Sequence, residues 1–256
     1  MYYVEPSVLK KPENENAKIW RYMDFTKFMD ILERRSLYFT RSDKFEDPFE
    51  GISSKVIKEE RLQYINDIGK QCGSIIKDAF LSSSEHLDRK VREWTAINCW
   101  HMNEYESDAM WKLYLKSNEG IAVQSTYKRL NNSFSDLEEK VCIGQVNYID
   151  YELDNMQYKD NMLAPFLHKR KSFEHERELR AIMMKIPKKG ERYDYDGEAF
   201  EHGTYVQVNL DELIDKIYVA PTAPQWVVEL VELVLNKYKL EHKKVIQSSL
   251  FVKPTF

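Results

Sequence analysis

Short apolar segments with strand character, separated at irregular intervals by helical segments, constrain the fold of this 256-residue chain more than any other feature. Apolar runs and alternations predict strands at 19–23, 37–41, 95–101, 120–126, 140–152, 178–186, 203–210, 211–221 and 243–251. Helical periodicity predicts helices at 26–35, capped by Thr26, and at 108–116, 154–171 and 224–238. Strands and helices do not alternate regularly, as a parallel βαβ sheet would require. We therefore predict an α+β fold with a mixed or largely antiparallel central sheet and flanking helices.

One domain is expected to contain most of the chain. At 30.6 kDa, area scaling predicts that about 73% of the unfolded surface is buried on folding, which is enough for a substantial core. Residues 1–18 are polar and contain prolines, which predicts a loosely held lead-in segment. Residues 19–256 are predicted to form a single α+β domain, with two or three helices in an insert near 53–92.

Composition excludes several classes of protein. The chain has 38 Lys+Arg and 42 Asp+Glu, so its net charge of -4 provides no global attraction to a nucleic-acid backbone. The three cysteines, Cys72, Cys99 and Cys142, are too few and too far apart for a disulfide framework or a paired zinc site. A membrane span, the dinucleotide fingerprint GxGxxG and the phosphate loop GxxxxGK[ST] are absent from the sequence. We expect a cytoplasmic protein without membrane contact.

Arg21 is the first candidate for ligand binding. It lies within an apolar predicted strand, between Trp20 and Tyr22. A guanidinium in such surroundings costs free energy unless it meets a carboxylate, a phosphate or a carbonyl group. The alternative is an edge-strand arginine whose charge reaches water.

The segment 168–180 contains the strongest chemical signal in the chain. In a strand, Glu174, Glu176, Glu178 and Arg180 would share one face, and such closely spaced carboxylates repel unless a cation or a proton intervenes. In a helix, Glu176 and Arg180 would form an ordinary i, i+4 ion pair on a solvated face. The apolar residues that follow favour the strand.

Three further places allow both a functional and a structural interpretation. Asp47 and Glu50, in the turn 45–51, could hold a ligand or a metal, although an Asx-type bond from Asp47 to the turn backbone is the favoured interpretation. Trp111 and Tyr114 could stack on a ligand, although aromatic residues at helical spacing are more often core.

The third place is the pair Cys99 and His101, which share one face of a predicted strand. A catalytic Cys–His pair would need hydrogen-bond contact and an orienting partner. A buried thiol beside a satisfied imidazole is the favoured interpretation.

Taken in order, several segments resemble one bacterial family. They are IWRY at 19–22, the stretch 31–51 ending in FEDPFEG, the stretch 98–123 containing MWKLY, and FEHERELRAI at 173–182. Together they resemble the family catalogued as domain of unknown function twenty-nine seventy-one, from about residue 19 to residue 219. The family implies no established activity.

The order of parts is also similar to that of mono-ADP-ribosyltransferases of the Arg-Ser-Glu type. This more distant resemblance implies that Arg21 holds the pyrophosphate of NAD and that Glu178 stabilises the cationic transition state. It implies that Glu176 activates the acceptor. Tyr22, Trp111 and Tyr114 would provide aromatic faces for nicotinamide.

The leading hypothesis is therefore an NAD-dependent ADP-ribosyltransferase or NAD glycohydrolase acting in phage defence or as a toxin. Under it, Glu178 and Glu176 are catalytic, and Arg180 joins the cofactor-binding residues. NAD is the substrate, no metal is predicted, and the acceptor, protein or nucleic acid, stays open. One alternative is a metal-dependent nuclease using Asp108, Glu176 and Glu178, with the basic run 169–171 on phosphates. Another is a non-enzymatic module that binds a nucleotide or a protein.

Overall fold

A large, mostly antiparallel sheet forms the centre of the computed structural model, which describes residues 9–114, 118–157 and 161–253. The strands of this sheet are β1 (Lys18–Asp24), β2 (Ser36–Arg41), β3 (Thr95–Met102), β4 (Gly120–Thr126), β5 (Val141–Gln145), β8 (Glu178–Met184), β11 (Gly203–Gln207), β12 (Lys216–Val219) and β13 (Lys244–Gln247). Its main path runs β11-β2-β3-β1-β4-β12-β13, and β8 joins β3 to β5. All of these pairings are antiparallel except β12 with β13. The predicted α+β class with a mixed sheet is confirmed.

Two small strand pairs and seven α-helices complete the described part of the chain. The small pairs are β6 (Asn147–Ile149) with β7 (His168–Arg170), and β9 (Lys188–Lys189) with β10 (Arg192–Tyr193). The helices are α1 (Phe25–Arg34), α2 (Lys55–Cys72), α3 (Ser74–Glu93), α4 (Asp108–Tyr114), α5 (Tyr127–Asn132), α6 (Leu210–Leu213) and α7 (Gln225–Lys237). Helices α2 and α3 occupy the position of the predicted insert. Within the described ranges, no helix has the length and apolar character needed to cross a membrane.

The sheet is split between β1 and β2, and the split positions the site. Both strands lie on one edge of β3, since β8 pairs with the opposite edge along its length. Strand β2 pairs with β3 at Ala96 and Ile97, whereas β1 pairs with it at His101 and Met102. Between these pairings, residues 98–100 have no strand neighbour on that edge among the described residues. Helix α1 connects the two strands, which run in the same direction because both are antiparallel to β3.

The hydrophobic core covers both faces of the sheet. On one face, α1 contributes Phe28, Ile31 and Leu32 to the largest cluster of buried side chains. Helix α4 packs on the opposite face through Met110 and Trp111. The two helices lie on opposite faces of the sheet, so both faces are covered by packed side chains near the split.

Several local predictions differ from the structure. Helix α1 is capped by the Asp24 carboxylate, which accepts from Lys27 N at 2.8 Å, rather than by Thr26. The predicted strand 140–152 is two strands, β5 and β6, in different sheets, because the chain leaves β5 where Val146 N bonds Glu178 O. Residues 9–17 are tied down, for example by the bond from Gln145 N to Lys10 O, whereas 1–8 lie outside the described residues.

The predicted helix 154–171 is wrong where it is described. This stretch contains turns, a short 3-10 helix at Ala164–Leu167 and strand β7. Pro165 cannot donate a backbone hydrogen bond and restricts the residue before it, so a regular helix cannot continue through it. Residues 158–160 lie outside the described ranges.

The favoured strand interpretation of 174–180 is correct only from Glu178 onward. A 3-10 helix covers Lys171–Glu176, and Arg177 then takes a left-handed conformation with φ of 42°. Glu174 therefore does not join Glu178 on a strand face. Glu176 reaches Glu178 from the turn instead, as described below.

Candidate functional site

A cavity of about 460 Å³ opens at the split in the sheet. This volume is in the range typical of small-molecule sites, roughly 300–1,000 Å³. Strand β1 contributes Arg21 and Tyr22 to the lining, and β3 contributes Cys99 and His101. The cavity thus exists because β1 and β2 diverge from the same edge of β3.

Arg21 places an unpaired positive charge in this cavity. Its Nη1 donates to the carbonyl oxygen of Cys99 at 2.6 Å, in the stretch of β3 that lacks a strand neighbour. Among the described residues, no carboxylate pairs with this guanidinium. Burial lowers the pKa of Arg21, and its electrostatic neighbours are the Cys99 thiol and the Tyr114 hydroxyl. A partly buried guanidinium without a counter-ion favours an anionic ligand.

Two tyrosines line the cavity together with Arg21, one on β1 and one on α4. Tyr22 is buried, with its hydroxyl accepting from Ser107 N at 2.9 Å and its ring 4.9 Å from that of Trp111. Tyr114 lines the cavity at the end of α4 with 44% of its surface exposed. Burial of its hydroxyl, together with nearby negative charge, raises the pKa of Tyr114 to about 12.

Two carboxyl groups, Glu176 and Glu178, also line the cavity. Lys169 joins them, because its Nζ donates to Glu176 Oε2 at 2.5 Å and to Glu178 Oε1 at 2.7 Å. All three side chains are largely buried. The repulsion expected between the two carboxylates is thus relieved by a shared cation.

Glu178 is held by a second cation. Arg180 Nε donates to Glu178 Oε2 at 2.5 Å, and its two Nη atoms donate to Glu50 at 2.6 and 2.9 Å. A further bond from Nη1 to the carbonyl oxygen of Phe166 measures 2.8 Å. Arg180 is fully buried and pairs with two carboxylates, those of Glu50 and Glu178, within the protein.

The two carboxyl groups have opposite pKa shifts. Burial opposes ionisation of Glu178, but Arg180, a hydrogen bond with Glu176, and Lys169 hold its pKa well below the usual range. Burial raises the pKa of Glu176 to about 7, and the hydrogen bond and charge of Glu178 contribute to this shift. Glu178 is consequently a permanent anion, whereas Glu176 can exchange a proton near neutral pH.

A small sheet and a turn position this cluster. Strand β7 contains Lys169, and its partner β6 contains Tyr148, whose hydroxyl accepts from Glu178 N at 2.7 Å. Arg170 donates to Asp47 at 2.8 Å and lies over the Phe49 ring at 4.6 Å. These contacts fasten the turn that contains Glu50 to the segment that contains Lys169.

His101 contributes a neutral imidazole to the cavity lining. Its Nδ1 lies 2.6 Å from the carbonyl oxygen of Glu176, so Nδ1 must carry the hydrogen in that contact. Burial lowers the pKa of His101 and outweighs the opposing effect of this hydrogen bond, which favours the neutral ring. Its Nε2 is then an acceptor, and it is buried without a partner among the described residues.

The structure brings together five of the seven residues assigned to the site from sequence. This cavity is lined by five of them: Arg21, Tyr22, Tyr114, Glu176 and Glu178. Two others lie outside its lining. Trp111 is 1% exposed and its Nε1 donates to Glu106 at 3.1 Å, and Arg180 is the internal counter-ion described above.

The proposed nuclease site is not assembled. In the described ranges, no group of three or more His, Cys, Asp and Glu side chains has the arrangement of a metal site. Asp108 accepts from Lys112 at 2.7 Å instead. The basic run 169–171 is also engaged internally, since Lys171 donates to Asp154 at 2.9 Å and its two neighbours form the contacts given above.

The residues assigned to the NAD site from sequence do not include Lys169, Glu50 and His101, although the nuclease alternative uses the basic run that contains Lys169. The signal for Glu50 was its place beside Asp47, whose Oδ1 accepts from Phe49 N at 3.0 Å in the predicted Asx-type turn. The signal for Lys169 was the basic run 169–171, seven and nine positions before the two carboxyl residues. The 3-10 helix and the left-handed Arg177 bring the lysine and both carboxyl groups together.

Comparison with known proteins does not identify a family for this chain. No protein-family model matches the chain, and no curated protein matches it either. The resemblances drawn from the sequence therefore stay predictions.

Proposed function

We propose that the cavity binds NAD and cleaves the bond between nicotinamide and ribose, in an ADP-ribosyltransferase or an NAD glycohydrolase. One observation carries the proposal: the Arg21 guanidinium, which has no carboxylate partner in the described part of the chain, lines the same cavity as the Glu176–Glu178 pair. A substrate that suits both must contain an anion and must develop positive charge nearby. NAD meets both requirements through its pyrophosphate and its ribose.

The chemistry needs only groups that the cavity offers. The electron pair of the breaking bond leaves with the nicotinamide nitrogen, which neutralises the cationic ring, and positive charge develops on the ribose. The Glu178 carboxylate, kept ionised by Arg180 and Lys169, stabilises that charge. Water or an acceptor group then adds to the ribose carbon, and its proton passes to Glu176 in its ionised form.

Rings near Arg21 support the binding part of the proposal. Tyr114 presents a partly exposed face to the cavity, and a tyrosine face attracts a cationic ring such as nicotinamide. We propose the cytoplasm as the location. Action in phage defence or as a toxin is part of the same proposal and rests on the sequence resemblance.

The test is release of nicotinamide by the purified full-length protein, measured with NAD alone and with added cell lysate. We expect release by the parent protein and a loss of at least about 100-fold in Arg21→Ala and in Glu178→Gln. Arg192→Ala and Glu201→Gln, both at exposed positions, are matched controls and should keep full activity. Release that survives both cavity substitutions, or a folded parent that releases nothing under either condition, would overturn the proposal.

A further inference from the structure

A second aromatic surface lines the same cavity on the β2 side of the split. It consists of Tyr38 on β2 and Tyr205 on β11, which are paired directly across the two strands. Their ring centroids lie 5.0 Å apart at an interplanar angle of 64°, so the two rings form a corner. Tyr205 is 42% exposed.

We propose that this corner binds the second planar ring of the substrate, the adenine base of a dinucleotide. The inference rests on the proposed function. It concerns the adenine base, whose binding the carboxyl groups and Arg21 do not account for. Tyr38 and Tyr205 would then determine preference for a dinucleotide over a mononucleotide, without taking part in bond cleavage.

The Tyr38 side chain lies close to the backbone of Gly203. A Cβ atom at Gly203 would lie 2.2 Å from Phe39 O and 2.7 Å from the Tyr38 hydroxyl oxygen, so no side chain can stand there. The Tyr38 ring consequently packs closely against the backbone at Gly203, as a strand glycine allows. Tyr38 also lines the cavity.

Tyr205 already stacks with a planar group. The Arg34 guanidinium lies 4.4 Å from the Tyr205 ring centroid, and its Nε donates to Asp30 at 2.6 Å. The Arg34 side chain is half exposed, so it can give way to, or stack with, an incoming base. Guanidinium and tyrosine planes are the surfaces on which nucleotide bases stack in single-stranded nucleic-acid sites.

The two sides of the split together match a dinucleotide. Tyr114 provides an aromatic face on the β1 side, and the Tyr38–Tyr205 corner provides one on the β2 side. The unpaired Arg21 lines the same cavity and can bind an anionic linker. A ligand with two rings joined by a pyrophosphate uses all three features, whereas a mononucleotide leaves one aromatic surface empty.

The test compares two probes that each contain one of the rings, ADP-ribose and nicotinamide mononucleotide. Dissociation constants are measured by calorimetry on the full chain. We expect Tyr205→Leu and Tyr38→Leu each to weaken ADP-ribose by about 5- to 150-fold, the loss of one stacked base, with the mononucleotide changed by less than twofold. Tyr114→Leu should do the reverse, and Tyr205→Phe should keep both affinities because the ring remains.

The outcomes separate this inference from the proposed function. If both probes bind and the leucine variants at Tyr38 and Tyr205 spare ADP-ribose, or weaken both probes equally, the corner does not hold the base and the proposed function stands. If neither probe binds the folded parent, both the inference and the proposed function fail. Melting temperatures of all variants verify folding.

Discussion

Glu50 and Arg180 form a bidentate ion pair, with oxygen–nitrogen distances of 2.6 and 2.9 Å, although 130 positions separate them in the chain. Both side chains are buried. Because Arg180 also holds Glu178, the turn that contains Glu50 helps to fix a cavity carboxylate that it does not touch. The acidic turn and the late Glu-rich segment are therefore two parts of one charge network.

Arg180→Met should destabilise the protein by about 3–5 kcal/mol, since it leaves the buried Glu50 carboxylate without its partner and removes one of the two cations that hold Glu178. Urea unfolding followed by circular dichroism measures the change. Arg192→Met, at an exposed position, is the control and should stay within about 0.5 kcal/mol. A cost below 1 kcal/mol at Arg180 would mean that the network is not needed for folding.

Glu176→Gln should alter how stability depends on pH. The folded pKa of about 7 lies above the usual value of 4.5, so the protonated carboxyl stabilises the fold at low pH. That contribution is lost as the pH rises through 7. Relative to the parent, the glutamine variant should gain about 2 kcal/mol of unfolding free energy between pH 5 and pH 8. A pH-independent difference between the two proteins would contradict the assignment.

Lys169→Met should shift the pH profile of nicotinamide release as well as reduce its rate. Without the cation between them, the pKa values of Glu176 and Glu178 both rise. The acidic limb of kcat/KM should then move to higher pH by about one unit or more, because catalysis needs ionised Glu176. Lys169→Arg keeps the charge and should restore the limb. A slower enzyme with an unmoved profile would indicate a purely structural lysine.

Trp111→Ala should lower stability without a specific loss of affinity for nicotinamide mononucleotide. The side chain is 1% exposed and packs against Tyr22 rather than lining the cavity. Truncating a buried tryptophan costs about 3–5 kcal/mol, which thermal unfolding will show. Trp111→Phe should recover part of that stability. A variant that melts like the parent but binds the nucleotide weakly would show that Trp111 contributes to ligand binding.

Asp108→Asn and a chelator together test the nuclease alternative. Asp108 pairs with Lys112 and is not gathered with the cavity carboxyls. We expect neither the substitution nor the chelator to change nicotinamide release by more than about twofold. Activity that disappears with chelator and returns with Mg²⁺ would favour metal-dependent chemistry instead.

Apolar periodicity predicts most strands of the large sheet because the strands are buried and each one leaves a local pattern of apolar residues in the sequence. Strands β1, β3, β4 and β8 all coincide with predicted segments. The same rule fails for residues 154–171, where Leu163 and Phe166 are buried by irregular backbone rather than by a helix face. Periodicity reports burial, and here burial does not need regular structure.

The site was only partly predictable for a different reason. Arg21, Glu176 and Glu178 stand out because their charges conflict with their apolar or acidic neighbours in the sequence. Lys169 and Glu50 resolve those conflicts. Glu50 comes from a segment 130 positions away from Arg180, whereas Lys169 is only seven and nine positions from the two carboxyl residues but needs the intervening turn to reach them. Local sequence identifies the groups that need a partner, while the topology decides which partner each receives.

The gap beside residues 98–100 has a consequence for backbone dynamics. In an ordinary sheet, the amides of a central strand are the slowest to exchange with solvent, because neighbours on both sides hold them. Here β3 has full neighbours at its ends but only β8 in its middle. The amides in the middle of β3 should therefore be less protected from hydrogen exchange than those at its ends. A ligand in the cavity should slow the exchange of these amides.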